Sequence, residues 1–241
     1  MYTLSDFTTI HKQNKYVLPT DVMERIQMLC TSIGATPKFS VMVQKRGTLQ
    51  DAMREINKLT QENKSTQIPL LLEIIENIHI ASFMDLFFTI LCKNSFFSSV
   101  YAELYQQLHH KYDIISFWDV KYASYVETLK NIQIVGPENY DEYCKIHALH
   151  DEMRTFTLFL VQLTNLGIIP RHYYETVVSV VFQQIDIFMH SNKEIMNELV
   201  ELMVILNPKD EKIKHLSSLN PANYAGINHK IIFRFMDILN H

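Results

Sequence analysis

Cys144, His147 and His150 stand three residues apart, a spacing that can align three metal-donating side chains along one face of a helix. A structural zinc takes four such donors, and no fourth lies nearby in the sequence. The spacing therefore reads as ordinary helix surface and core, with a helical metalloenzyme as the rival reading. His109–His110 is a second imidazole pair, better suited to a helix C-terminus, where a cation complements the dipole. Glu73 and Glu76 share a helix face but lack the second pair of carboxylates that a di-metal site needs, so they read as a solvated face. There is no glycine-rich phosphate loop, no G-x-S-x-G elbow and no H-E-x-x-H pair. No catalytic residue, no metal and no cofactor is expected, and an enzyme has no specific residue to stand on.

Those side chains must be carried by something, and composition says what. Of 241 residues, 47% are hydrophobic and 20% charged, enough apolar material for a sizeable core and the reverse of a disordered chain. The net charge of −4 and a pI of about 6.2 give no bulk basic field for nucleic acid or an anionic membrane; RNA contact would need a local patch. Three widely spaced cysteines, Cys30, Cys92 and Cys144, imply no disulfide framework and fit a reducing compartment. The first twelve residues lack the basic start and apolar run of a signal peptide, and no apolar stretch reaches bilayer length. A cytoplasmic protein without membrane contact is expected.

The five glycines sit where a helix would stop, at Gly34, Gly47, Gly136, Gly167 and Gly226. Pro69 and Pro170 suit the first turns of helices, while Pro137, Pro208 and Pro221 suit connections. Between these marks apolar residues recur at helical spacing, as in Val177, Val181, Ile185 and Phe188 or Ile195, Leu199, Leu202 and Leu206. The pattern predicts helices near 48–62, 67–79, 82–93, 97–110, 113–133, 139–150, 151–166, 170–190, 193–206 and 227–239. Phe83, Phe87, Phe88, Phe96 and Phe97 read as core. Short connections favour antiparallel neighbours, hence an all-α stack of helix pairs. Residues 1–47 differ: they read as an extended arm with one short helix near 20–33, and 48–241 as the helical body.

Four local strings add a likeness to a known family. Arg54 and Ile56-Asn57-Lys58-Leu59-Thr60 resemble the opening helix of the middle domain of eukaryotic translation initiation factor 4G. Asn94-Ser95-Phe96-Phe97-Ser98-Ser99-Val100-Tyr101-Ala102-Glu103-Leu104 is similar to that family's segment in which an aromatic and serine precede Tyr-Ala. The run from Phe159 to Ile169 resembles a later helix, and Ile232-Phe233-Arg234-Phe235-Met236-Asp237-Ile238-Leu239 the closing one. The four lie in family order, at roughly family spacing, and cover residues 48–239.

The resemblance implies a HEAT-type α-solenoid, a crescent of about five antiparallel helix pairs that scaffolds translation initiation. Such domains hold a DEAD-box RNA helicase of the initiation factor 4A type at both ends and stimulate it. Carried over by position, the helicase-binding residues are Asn57, Lys58, Leu59 and Thr60 at one end and Phe233, Arg234 and Asp237 at the other. Phe39 stands for an aromatic anchor in the arm. The family's cap-binding partner, of the initiation factor 4E type, is recruited by a Tyr followed five residues later by Leu and a further apolar residue. Tyr2 and Phe7 keep that spacing, with Phe7 in place of Leu and Thr8 in place of the second apolar residue. The alternative is a related HEAT-repeat scaffold in RNA decay, splicing or translational repression. The acidic balance departs from the family's basic, RNA-binding members, and the link from Asn131 to Tyr143 lacks their long charged insertions.

Overall fold

The computed structural model describes residues 19–32 and 47–240. The chain divides after Arg46 into two units. In the first, α1 (Thr20–Ser32) is a 13-residue helix whose Val22, Ile26 and Cys30 recur every four residues, with Met28 and Leu29 exposed. Phe39, Tyr2 and Phe7 lie outside the described residues.

The second unit contains ten α-helices: α2 (Leu49–Ile56), α3 (Lys64–Ile75), α4 (Ile80–Leu91), α5 (Ser98–Lys111), α6 (Ile115–Lys130), α7 (Tyr140–Asn165), α8 (Arg171–Phe188), α9 (Lys193–Leu206), α10 (Glu211–Ser217) and α11 (His229–Asn240). Two 3₁₀ turns, Ser95–Phe97 and Pro221–Asn223, complete it, and no strand occurs among the described residues. The described residues therefore adopt the expected all-helical class.

Local chemistry sets the ends. Thr48 and Asp51 form a reciprocal capping box at the start of α2, each side chain bonded to the other's backbone N–H at 3.2 Å. Asn139, Asn192 and Asp210 likewise accept backbone N–H bonds at the starts of α7, α9 and α10. α7 ends in a Schellman motif: Gly167, at φ +68°, donates to the Thr164 carbonyl, and Ile168 donates to Leu163. α9 ends with Asn207 in the same left-handed conformation, and Pro208 follows. Gly226 answers to a different constraint, because a Cβ there would lie 2.2 Å from the Phe188 carbonyl oxygen.

The structure corrects several boundaries. The two helices expected at 139–150 and 151–166 are one helix of 26 residues, α7, because nothing between them breaks a helix. The first body helix ends at Ile56, and a turn built on Asn63 fills the rest of the expected span. α3 starts at Lys64, so Pro69 lies inside the helix rather than in its first turn. α10, seven residues long, was not expected. Phe83, Phe87 and Phe88 are buried and Phe97 half-buried, but Phe96 stands on the 3₁₀ turn with 88% of its surface exposed.

The main packings join helices one or two apart in chain order: α2 with α3 and α4, α3 with α5, α5 with α7, α6 with α7 and α8, α7 with α8 and α9, α8 with α9, α9 with α11, and α10 with α11. An aromatic cluster fills the middle. Trp118 of α6 is fully buried and stacks on Phe156 of α7 at 5.2 Å between ring centroids. Tyr105 of α5 meets Trp118 edge-on at 6.3 Å and Phe159 at 5.8 Å, while Phe87 of α4 meets Phe159 at 6.1 Å. Beyond the area buried, each such pair contributes about 0.5–1.5 kcal/mol, so four helices share one rigid centre.

Candidate functional site

α2 turns Ala52, Glu55 and Ile56 inward and leaves Leu49, Met53, Arg54 and Asn57 outward. The Asn57-Lys58-Leu59-Thr60 string forms the turn that leaves this helix. Asn57 caps α2 through its backbone N–H, and Asn63 fixes the turn by donating to the Lys58 carbonyl and accepting from the Thr60 N–H, both at 2.8 Å. Only Leu59 enters the core, with 2% of its surface exposed; Asn57 and Lys58 are exposed and Thr60 is half-buried. Lys58 donates to the buried Glu55 carboxylate at 3.0 Å, and Arg54 pairs with Asp51 at 2.8 Å. The Thr48 hydroxyl bond is the main cause holding the Asp51 carboxyl below its usual pKa. The string thus presents a polar, charge-ordered edge beside Met53 and Leu49.

α11 buries Ile231, Ile232, Phe235 and Ile238 against α9 and α10. Its other face is unusually apolar: Phe233 is 61% exposed, Leu239 46% and Met236 40%, with Asp237 beside them. Arg234 is held within the body. Its guanidinium grips the Glu201 carboxylate of α9 with two bonds, one of them Nε to Oε1 at 3.0 Å, and Asp237 lies 3.7 Å away. The Glu201 bond is the main cause that raises the Arg234 pKa, so the guanidinium stays charged and fixed. Its geometry ties α11 to α9, while Phe233 and Asp237 face outward.

The Cys144, His147 and His150 face divides by depth along α7. Cys144 and His147 are exposed, whereas His150 is 2% exposed, with its Nε2 at 3.0 Å from the Gln133 carbonyl oxygen. His150 Nδ1 lies 3.9 Å from Glu198 of α9, a carboxylate already engaged by Arg154. Burial is the main cause that lowers the His150 pKa, outweighing the attraction of Glu198. Among the described residues no group of three His, Cys, Asp or Glu side chains converges to hold a metal ion. His109 and His110 lie in the last turn of α5, as their helix-end reading expects, and Glu73 and Glu76 are exposed, Glu76 pairing with Lys111.

Sequence reasoning passed over three features: the exposed Phe96, the Glu201 and Glu198 anchors that reach across helices, and a hollow beside Cys92. Only Phe96 lay in a string already singled out; the other features join residues on different helices, which no local spacing shows. No family model, no curated protein and no solved structure matches the chain.

Proposed function

We propose that this chain is a translation-initiation scaffold of the initiation factor 4G middle-domain type, holding a DEAD-box RNA helicase of the initiation factor 4A type. The observation that carries the reading is the placement of the two outermost strings. Asn57 and Lys58 leave α2, and Phe233 and Asp237 stand outward on α11, so the first and last helices of the body each offer an exposed, mixed apolar and polar edge. Packing between helices one or two apart in chain order is compatible with a HEAT-type solenoid, and α2/α3, α6/α7, α8/α9 and α10/α11 pack as sequence neighbours.

In this role the chemistry belongs to the helicase. A rigid body with one attachment edge for each helicase lobe lowers the entropic cost of bringing the lobes together, and so favours the ATP-hydrolysing arrangement. The aromatic centre supplies the rigidity. The arm, through Tyr2 and Phe7, recruits a cap-binding protein of the initiation factor 4E type, and Phe39 adds an anchor for the helicase. Residues 47–241 carry sixteen lysines and arginines against twenty-three acidic residues, which disfavours RNA as a direct ligand of the body. This work is cytoplasmic.

Calorimetric binding to such a helicase tests the reading. Asn57→Ala with Lys58→Ala, and separately Phe233→Ala with Asp237→Ala, should each weaken affinity about tenfold, because truncation of a few anchor residues dominates such losses. Unchanged affinity in both double variants overturns the assignment of these edges. Tyr2→Ala separates initiation from the other scaffold roles, since only the initiation scaffold loses a cap-binding partner.

A further inference from the structure

Three helices of the body enclose a hollow that the end-to-end scaffold does not use. It measures about 320 Å³ and is walled by Phe88 and Cys92 of α4 and the loop after it, Ser124 and Tyr125 of α6, and Met153 and Phe156 of α7. A second hollow of about 690 Å³ lies on the adjoining face of α7 and shares Cys92, Lys93 and Glu152 with the first, continuing to Leu158 and Ile205. The two follow α7 from Leu149 to Leu158, about 14 Å at 1.5 Å per residue. That length suits about four residues of extended peptide.

The charges at the mouth point to one kind of occupant. Lys93, Lys121 and Glu152 line the first hollow, and none of them pairs with another described residue within ion-pair distance. The only other charged side chains in the second hollow, Asp151 and Arg154, pair with each other. Among the described residues, two cations and one anion without ion-pair partners therefore stand over an aromatic and thioether floor. Pockets of this size with an apolar floor and a few convergent polar groups are the usual form of a ligand site. Lys93 and Lys121 against Glu152 leave a local excess of positive charge at the mouth, and complementarity to that patch favours an anionic partner.

We propose that the furrow along α7 is a second partner site, taking an acidic peptide segment whose apolar side chain seats on Phe88, Met153 and Phe156 while its carboxylates meet Lys93 and Lys121. The site is independent of the two end edges, so it stands whether or not the helicase binds them.

Cys92 reports on it directly. Burial is the main cause that raises the thiol pKa to about 11, so labelling is slow and sensitive to whatever covers it. In a Cys30→Ser, Cys144→Ser protein, the probe acetyl-Glu-Glu-Leu-Phe-Glu-amide should slow maleimide labelling of Cys92 in a saturable way. Its charge-reversed counterpart, acetyl-Lys-Lys-Leu-Phe-Lys-amide, should have at least about tenfold weaker effect. Lys93→Glu with Lys121→Glu should invert that preference without changing the far-UV spectrum. Ser124→Trp, which fills the first hollow from an exposed position, should remove the protection by both peptides. Equal protection by the two peptides, none by the acidic one, or an unaltered preference in the double lysine variant overturns the proposal.

Discussion

Phe233 and Phe235 sit two residues apart on α11 and face opposite ways, which makes a sharp paired perturbation. Phe235 has 0% of its surface exposed and Phe233 61%. Truncating a buried phenylalanine costs the lost transfer energy plus a cavity, about 3–5 kcal/mol. Against a total stability of about 5–15 kcal/mol for such a domain, that is a large share. For a body of this size each kcal/mol moves the melting temperature by about 2–4 °C, so Phe235→Ala should lower it by about 6 to 20 °C. Phe233→Ala should change stability by less than about 0.5 kcal/mol, because most of the side chain is already in water. Because Phe235 helps hold α11 against α9 and α10, part of the Phe235→Ala loss is expected as local opening of residues 229–240. Urea denaturation followed by circular dichroism, with amide exchange across those residues, measures both outcomes. A cost below about 1 kcal/mol for Phe235→Ala refutes the burial argument. So does a cost for Phe233→Ala that equals it.

Other outcomes follow from single residues. Gly167→Ala forces a left-handed φ of +68° on a residue with a Cβ, and open space around it leaves strain as the only effect; a loss of about 1–2 kcal/mol in chemical denaturation is expected, against a smaller loss for Gly136→Ala, where φ is not left-handed and the new Cβ need only displace the end of the Glu138 side chain, 2.3 Å away. Burial lowers the His150 pKa in the folded state and so favours the neutral ring. Below the ordinary histidine pKa of about 6.5 the unfolded chain binds the proton first, so stability present above that pH is lost as pH falls toward the folded value. Denaturation at a series of pH values should show a shallower acid loss in His150→Gln than in the unaltered protein; identical profiles contradict the assignment of the acid loss to this ring.

The helices were legible because their signals are local. Stripes such as Ile195, Leu199, Leu202 and Leu206 bury as a unit, and Gly167 marked the end of α7 by the one property only glycine supplies freely. The missed features have physical reasons. His150-Asp151 interrupts the apolar stripe of α7 without breaking the backbone, since a histidine can be buried against a carbonyl such as that of Gln133. α10 is shorter than two full periods of a helix, too short for its stripe to stand out. Pro69 read as a helix start because proline favours that place, yet Asn63 turns the chain earlier.

The candidate edges divide similarly. The exposure of Asn57 and Lys58 and the burial of Leu59 follow from polarity along the string. That Arg234 is spent on Glu201, 33 residues away, follows from packing alone. Phe96 shows the limit of composition: an aromatic in a phenylalanine-rich stretch reads as core until the 3₁₀ turn carries it outward.

The most direct test of the scaffold reading is the steady-state ATPase rate of an initiation factor 4A-type helicase, with RNA present, titrated with the full chain. The scaffold reading predicts a saturable rise in rate that is lost when Asn57→Ala and Phe233→Ala are combined in a protein that still melts like the original. A rate that stays flat through the titration, or a rise that survives the combined variant, contradicts it.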